Sequence, residues 1–202
     1  MNNKNPEDAH LLGLLRAIEA RSDVTQRGLA GQMGVALGLA NSYLKRCVRK
    51  GLVKIHQAPA NRYLYYLTPK GFAEKSRLTA EYLSFSFSYY RQASESCASA
   101  FSYCVDRHWR QIALCGASDL AEIACARALE HDVEIKYVFD AGATGKRFLS
   151  HPLVSRIDTS EAVDAWLLTD LTDPQATNDW LRSKVDAERV VVPTILGIGK
   201  AA

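Results

Sequence analysis

The chain lacks any run of about 18 apolar residues, so no membrane-spanning helix is expected. Its first ten residues, MNNKNPEDAH, contain no apolar signal core, and the expected location is the cytoplasm. No CxxC occurs, and the cysteines are odd in number: Cys47, Cys97, Cys104, Cys115 and Cys125. That argues against a disulfide framework and against a zinc knuckle. The five histidines form no HxxxH or HxH pair, so no metal site is expected. A nucleophile elbow and a Ser-His-Asp order are also missing, and the chain is not expected to be an enzyme. Two further absences are local. From Val24 to Ala73 there is no acidic residue, against eight Lys and Arg. From Thr79 to Arg107 there is no Gly or Pro.

What is present suits a globular protein of one or two domains: 202 residues, 48% hydrophobic and 23% charged. The net charge of +3 hides a division. Residues 1–78 carry 13 Lys and Arg against 5 Asp and Glu, a net of +8. Residues 79–110 carry 3 of each, and residues 111–202 carry 9 against 14, a net of −5. Three segments are therefore expected: a basic module for a polyanion over 1–78, a linking helix over 79–110, and a module with another task over 111–202.

In the first segment Pro6, Glu7 and Asp8 open a helix, and Leu11, Leu14, Leu15 and Ile18 recur on one face of it. Thr25 caps a second helix, which Gly34 ends. A third helix spans about Ala36 to Lys50, with Ala40, Leu44, Cys47 and Val48 inward and Gly51 past its end. The runs LVKIHQ (52–57) and RYLYYLT (62–68) form a hairpin with Asn61 and Arg62 near its tip, and Thr68-Pro69 caps a further helix.

Three helices followed by a hairpin is the winged helix-turn-helix plan. The stretches TQRGLAGQMGVALGLANSYLKRCVRKGLVKI and YLYYLTPKGFAEKSRLT resemble the DNA-binding domain of MarR-type regulators, the exopolysaccharide-associated group above all, over about residues 8–80. The resemblance implies a DNA-reading third helix. With Ala40, Leu44, Cys47 and Val48 inward, Leu37, Gly38, Asn41, Ser42 and Lys45 face outward from its first turns, where base edges are read. Asn41 can pair bidentately with adenine, Ser42 can bond a base or phosphate, and Gly38 allows close approach. Lys45, Arg46 and Arg49 suit phosphates, Arg62 suits the minor groove or backbone, and Gln26 and Arg27 can hold the backbone.

In the middle segment a 4-3 spacing runs through Leu83, Phe87, Tyr90, Ser94, Cys97, Phe101, Cys104 and His108. This reads as a heptad seam, and a homodimer through residues 79–108 is expected, matching the two-fold symmetry of operators. The alternative is that this helix packs on its own C-terminal domain. Serine-rich 94–99 is the weakest point of the helix. In a parallel pair, Cys97 and Cys104 would face their symmetry mates and permit a redox switch.

From residue 111 apolar strands alternate with helices: strands at 111–117, 133–140, 162–170 and 188–195, helices at 118–130 and 173–185. The expected fold class is α/β, an N-terminal winged helix followed by a parallel sheet covered on both faces. Ligands bind such sheets beyond the carboxyl ends of the strands, where Gly116, Ala117, Ser118, Asp119, Asp140 and Asp170 fall. Asp140 follows Gly116 by 24 residues, near the spacing of a ribose-binding acid, but GxGxxG is absent. The pieces LCGASDLAEIA, YVFD and GKRFLSHPLV resemble the Rossmann-like N-terminal domain of bacterial sugar O-acyltransferases, without their acyltransferase repeats. That resemblance implies a nucleotide-type or sugar-nucleotide effector, with Lys146 and Arg147 of the third piece joining the ligand set. The expected function is a DNA-binding, effector-sensing regulator. A small nucleotide- or sugar-nucleotide-binding enzyme whose winged helix serves for interaction, and a purely architectural DNA-binding dimer, are the alternatives.

Overall fold

The computed structural model describes residues 6–59, 62–157 and 162–198. Two compact units divide the chain, Met1–Phe87 and Ser88–Ala202, and the division falls inside a helix. Among the described residues no helix is long and apolar enough to cross a membrane.

The first unit begins with α1 (Pro6–Ala20), α2 (Gln26–Met33) and α3 (Leu37–Arg49). The apolar period of α1 buries Leu12, Leu14, Leu15 and Ile18, while Leu11 is only partly covered. Each such fully buried Leu or Ile contributes about 1.5–3 kcal/mol. Thr25 caps α2, its hydroxyl accepting from the Gly28 amide at 3.0 Å. Ala40, Leu44 and Cys47 of α3 close the core from the other side, and Gly51 follows in the left-handed region at φ 69°. Strands β1 (Val53–Ala58) and β2 (Arg62–Leu67) then pair antiparallel, Val53 opposite Leu67 and Ala58 opposite Arg62. Asn61 lies outside the described residues. The hydroxyl of Thr68 accepts from the Gly71 amide at 3.0 Å and so starts the next helix, as the sequence predicts.

That helix, α4, runs from Pro69 to Asp106 without interruption, so the serines at 94–99 do not break it. Its expected seam splits into two fates. Leu83, Phe87 and Tyr90 are exposed, whereas Cys97, Phe101 and Cys104 are fully buried against the strands of the second unit, and His108 lies outside the helix. The packing alternative therefore holds for the C-terminal half. The part of the expected seam at Cys97, Phe101 and Cys104 is spent on the chain's own core. Both thiols of the expected redox switch lie inside that core, and burial pushes Cys97 up to about 11 and Cys104 up to about 12, away from the reactive thiolate.

The second unit holds β3 (Gln111–Cys115), α5 (Asp119–Ala128), β4 (Glu134–Phe139), β5 (Arg147–Phe148), β6 (His151–Val154), β7 (Ala165–Leu168), α6 (Pro174–Lys184) and β8 (Val190–Val191). The sheet order is β5-β6-β4-β3-β7-β8, parallel throughout except for the β5–β6 hairpin at one edge. Continuous apolar strands follow from burial on both faces. Ile112, Leu114, Val138 and Leu167 meet α4 and α5 on one face, while Ala113, Cys115, Phe139 and Leu168 meet Leu181 of α6 on the other. The chain order reverses direction between β3 and β7, the switch point at which ligands of such sheets sit.

Candidate nucleic-acid interface

Helix α3 presents its first turns outward. Leu37 is 45% exposed, Ser42 is exposed, and a Cβ placed on Gly38 would meet nothing within 4 Å. Ala36 precedes the helix with no side-chain cap, so the first amides keep their donors free of a capping group. Farther along, Gln26, Asn41, Lys45 and Arg49 rim a cleft of about 450 Å³, floored by Leu44, Val48 and Ile55. The recognition helix forms one wall and the hairpin the other. Within it the Asn41 Oδ1 is buried without a hydrogen-bond partner. Gln26 is steadied by the Tyr65 hydroxyl at 3.5 Å.

The structure thus brings Gln26, Asn41, Lys45 and Arg49 together and leaves Leu37, Gly38 and Ser42 beside them. Arg27 is exposed in the first turn of α2, and Arg62 is exposed at the end of the hairpin. Arg46 is engaged within the chain: its guanidinium donates to Glu7 of α1 at 2.9 Å, and this bond and charge raise its already high pKa. It is held toward α1 rather than beside Lys45 and Arg49.

The hairpin adds Lys54 and His56, which the sequence pattern did not single out. Directly opposed residues of an antiparallel pair share a face. Val53 and Tyr65, on the face turned to the helices, are buried. The other face carries Lys54, His56 and Arg62, all exposed, with Tyr66 across from Lys54. The alternation Val-Lys-Ile-His in β1 is the signal that could have found them.

The strand ends of the second unit have a different character. Gly116 sits at φ 113°, and a Cβ there would lie 2.4 Å from the Asp170 backbone. Thr169, fully buried, donates its hydroxyl to the Gly116 carbonyl at 2.7 Å, and Ser118 donates to the Thr169 carbonyl at 2.5 Å. Three of the amides that could grip an anion are occupied. Ala117 N donates to Asp140 Oδ2 at 3.1 Å, and Leu120 and Ala121 donate to the Ser118 hydroxyl. Asp119 stands exposed in the first turn of α5. Burial pushes Asp170 up, but donation from Thr177 and from the amides of Thr172, Asp173 and Leu171 outweighs it and leaves its pKa below the usual value. Lys146 and Arg147 are not brought to this point: β5 is separated from β3 by β6 and β4, and Arg147 donates to the Ser150 carbonyl.

Residues 7–54 match the family model described as winged helix-turn-helix DNA-binding. No curated protein matches the chain. Among solved structures it is similar to the PcaV transcriptional regulator of Streptomyces coelicolor, at 25% identity and a TM-score of 0.33 over 35% of this chain and 54% of that one. It is also similar to MepR, a transcription regulator of the Staphylococcus aureus multidrug efflux pump MepA, at 21% and 0.36 over 43% and 63%. Human N-acetylserotonin methyltransferase aligns at 14% and 0.33 over 83% and 72%. The chain spans between half and two thirds of the length of the two regulators, and likenesses at these scores do not bear on function. The segment from α1 to the first strand of the hairpin is a winged helix-turn-helix of the DNA-binding kind.

Proposed function

We propose that the chain is a transcriptional regulator that binds duplex DNA as a homodimer on a two-fold symmetric operator, and that it is not an enzyme. The observation that carries this reading is the cleft between α3 and the hairpin: Gln26, Asn41, Lys45 and Arg49 converge on one concave face in a stretch without a single carboxylate. Asn41 and Ser42 read base edges from the first turns of α3. Lys45 and Arg49, with Lys54 and Arg62 of the hairpin, take phosphates. The resemblance to MarR-type regulators points the same way.

The C-terminal Rossmann-like unit is the sensing module in this reading, with a nucleotide-type or sugar-nucleotide effector. The resemblance to sugar O-acyltransferases supports that choice. At the strand ends Asp140 and Asp170 already accept from Ala117, Gly142, Thr172 and Thr177 and have only their remaining lone pairs for ligand hydroxyls, while the occupied amides of Ala117, Leu120 and Ala121 speak against a phosphate there.

The test is binding of the chain to its own promoter region over a range of salt. Each phosphate contact adds about 0.9 to the slope of log K against log salt. A steep fall with salt is expected, and an affinity that does not change with salt overturns the reading. For the sensing role, thermal unfolding is followed with nucleosides, nucleotides and nucleotide sugars, because a ligand of the folded state alone raises its stability. If no compound shifts the transition, the unit senses none of them.

A further inference from the structure

The stretch 82–90 of α4, YLSFSFSYY, is nearly its own mirror image about Ser86. Phe85 and Phe87, Ser84 and Ser88, Leu83 and Tyr89, and Tyr82 and Tyr90 stand at equal distances on either side. It is also an exposed part of the helix. Tyr82, Leu83, Phe85, Phe87, Tyr89 and Tyr90 are each 43% to 58% exposed. At about 100° per residue, Tyr82, Leu83, Tyr89 and Tyr90 lie within roughly 60° of the Ser86 direction, with the two phenylalanines on the flanks. Ala93, Cys97, Phe101 and Cys104 continue the same stripe and are buried.

We propose that this stretch is the dimer contact: α4 of a second copy crosses it antiparallel, with the two-fold axis passing through Ser86. The inference rests on the homodimer proposed above and narrows it to nine residues. In a two-fold contact residue i meets j while j meets i. About Ser86 this sets Tyr82 against the partner's Tyr90 and Leu83 against the partner's Tyr89, with Phe85 and Phe87 at the two edges of the contact. The mirror pattern supplies an apolar group on both sides of every such meeting. A parallel pairing would extend along the stripe into 93–104, which the chain's own sheet already covers.

The size and chemistry fit a second copy. Six half-exposed side chains offer about 600 Å² per chain, so a pair buries about 1,200 Å², the lower end of specific interfaces. No charged residue falls within 82–90. Depletion of charge and enrichment in Tyr and Phe are what the core of an interface shows. Ser86, small and half-covered, leaves room between the rings, and its hydroxyl donates to the Tyr82 carbonyl at 2.9 Å. It can therefore enter a dry contact without leaving a donor unmet.

The test uses the full chain in sedimentation equilibrium. The unaltered protein is expected to dimerise, and Leu83→Asp, at an exposed position, is expected to weaken the dimer roughly thirtyfold or more while circular dichroism shows unchanged helix. Cross-linking reads the axis. All five native cysteines are buried. Under mild oxidation Ser86→Cys is expected to link two chains, whereas Ser84→Cys, on the opposite side of the helix, is not. A monomeric unaltered protein overturns the homodimer itself. A dimer that Leu83→Asp leaves intact, or that links equally through either introduced cysteine, overturns this surface and leaves the homodimer standing.

Discussion

The two units treat the start of a helix in opposite ways. Before α3 stands Ala36, which offers no cap, and the nearby cations Lys45 and Arg49 face no carboxylate among the described residues. Before α5 stands Ser118, which caps two amides, while Asp140 takes a third and Asp119 adds negative charge. A helix N-terminus carries roughly half a positive charge. The first unit leaves that charge without a side-chain cap, which the proposed DNA complex would use, and the second satisfies three of its amides internally. The same structural element thus becomes a binding surface in one place and a seam in the other, and the neighbouring residues decide which.

The largest break in this contrast is expected from Gly116→Ala. A Cβ placed 2.4 Å from the Asp170 backbone, at a φ that L-residues avoid, has no room to relax. A loss on the order of 4 kcal/mol or more is expected in chemical denaturation of the second unit. A near-normal transition would show that the seam is not tight. Asn41→Ala sharpens the other side: discrimination between operator and altered sites is expected to drop by about 1–3 kcal/mol in competition binding. Arg49→Ala is expected instead to weaken all duplexes alike and to reduce the salt slope by about one. Equal behaviour of the two variants would show that base and phosphate roles are wrongly divided. Ser118→Ala, losing the cap of α5, is expected to lower stability by about 1 kcal/mol. Arg46→Ala comes last. Its exposed pair with Glu7 is screened by solvent and contributes little to stability, and DNA affinity is expected to stay within twofold or so. A loss equal to that of Arg49→Ala would return Arg46 to the interface.

Much of the fold is legible in the residues alone. The caps at Thr25, Thr68 and Ser118 are local, because a hydroxyl bonds an amide two or three residues away, and their side chains mark helix starts. The strands of the second unit can be read from apolar runs. The fate of α4 cannot. A 4-3 pattern says that a stripe is buried but not by what, and here the burying partner of Cys97, Phe101 and Cys104 comes from the chain itself. The position of Arg46 is hidden for a related reason: Glu7 lies 39 residues away in sequence, and nothing local links them. The amide of Ala117 meeting Asp140 is equally non-local, and an acid at a strand end looks the same whether it awaits a sugar or closes on its own loop.

The unmatched Oδ1 of Asn41 has a consequence for selectivity. A buried acceptor without a donor costs about 1–3 kcal/mol, and none of the described residues donates to this one. In the proposed complex an adenine edge that donates to it removes that cost, while an incorrect base leaves it in place. Under that proposal, choice at this position works by rejection: the correct site is the one that supplies the missing donor.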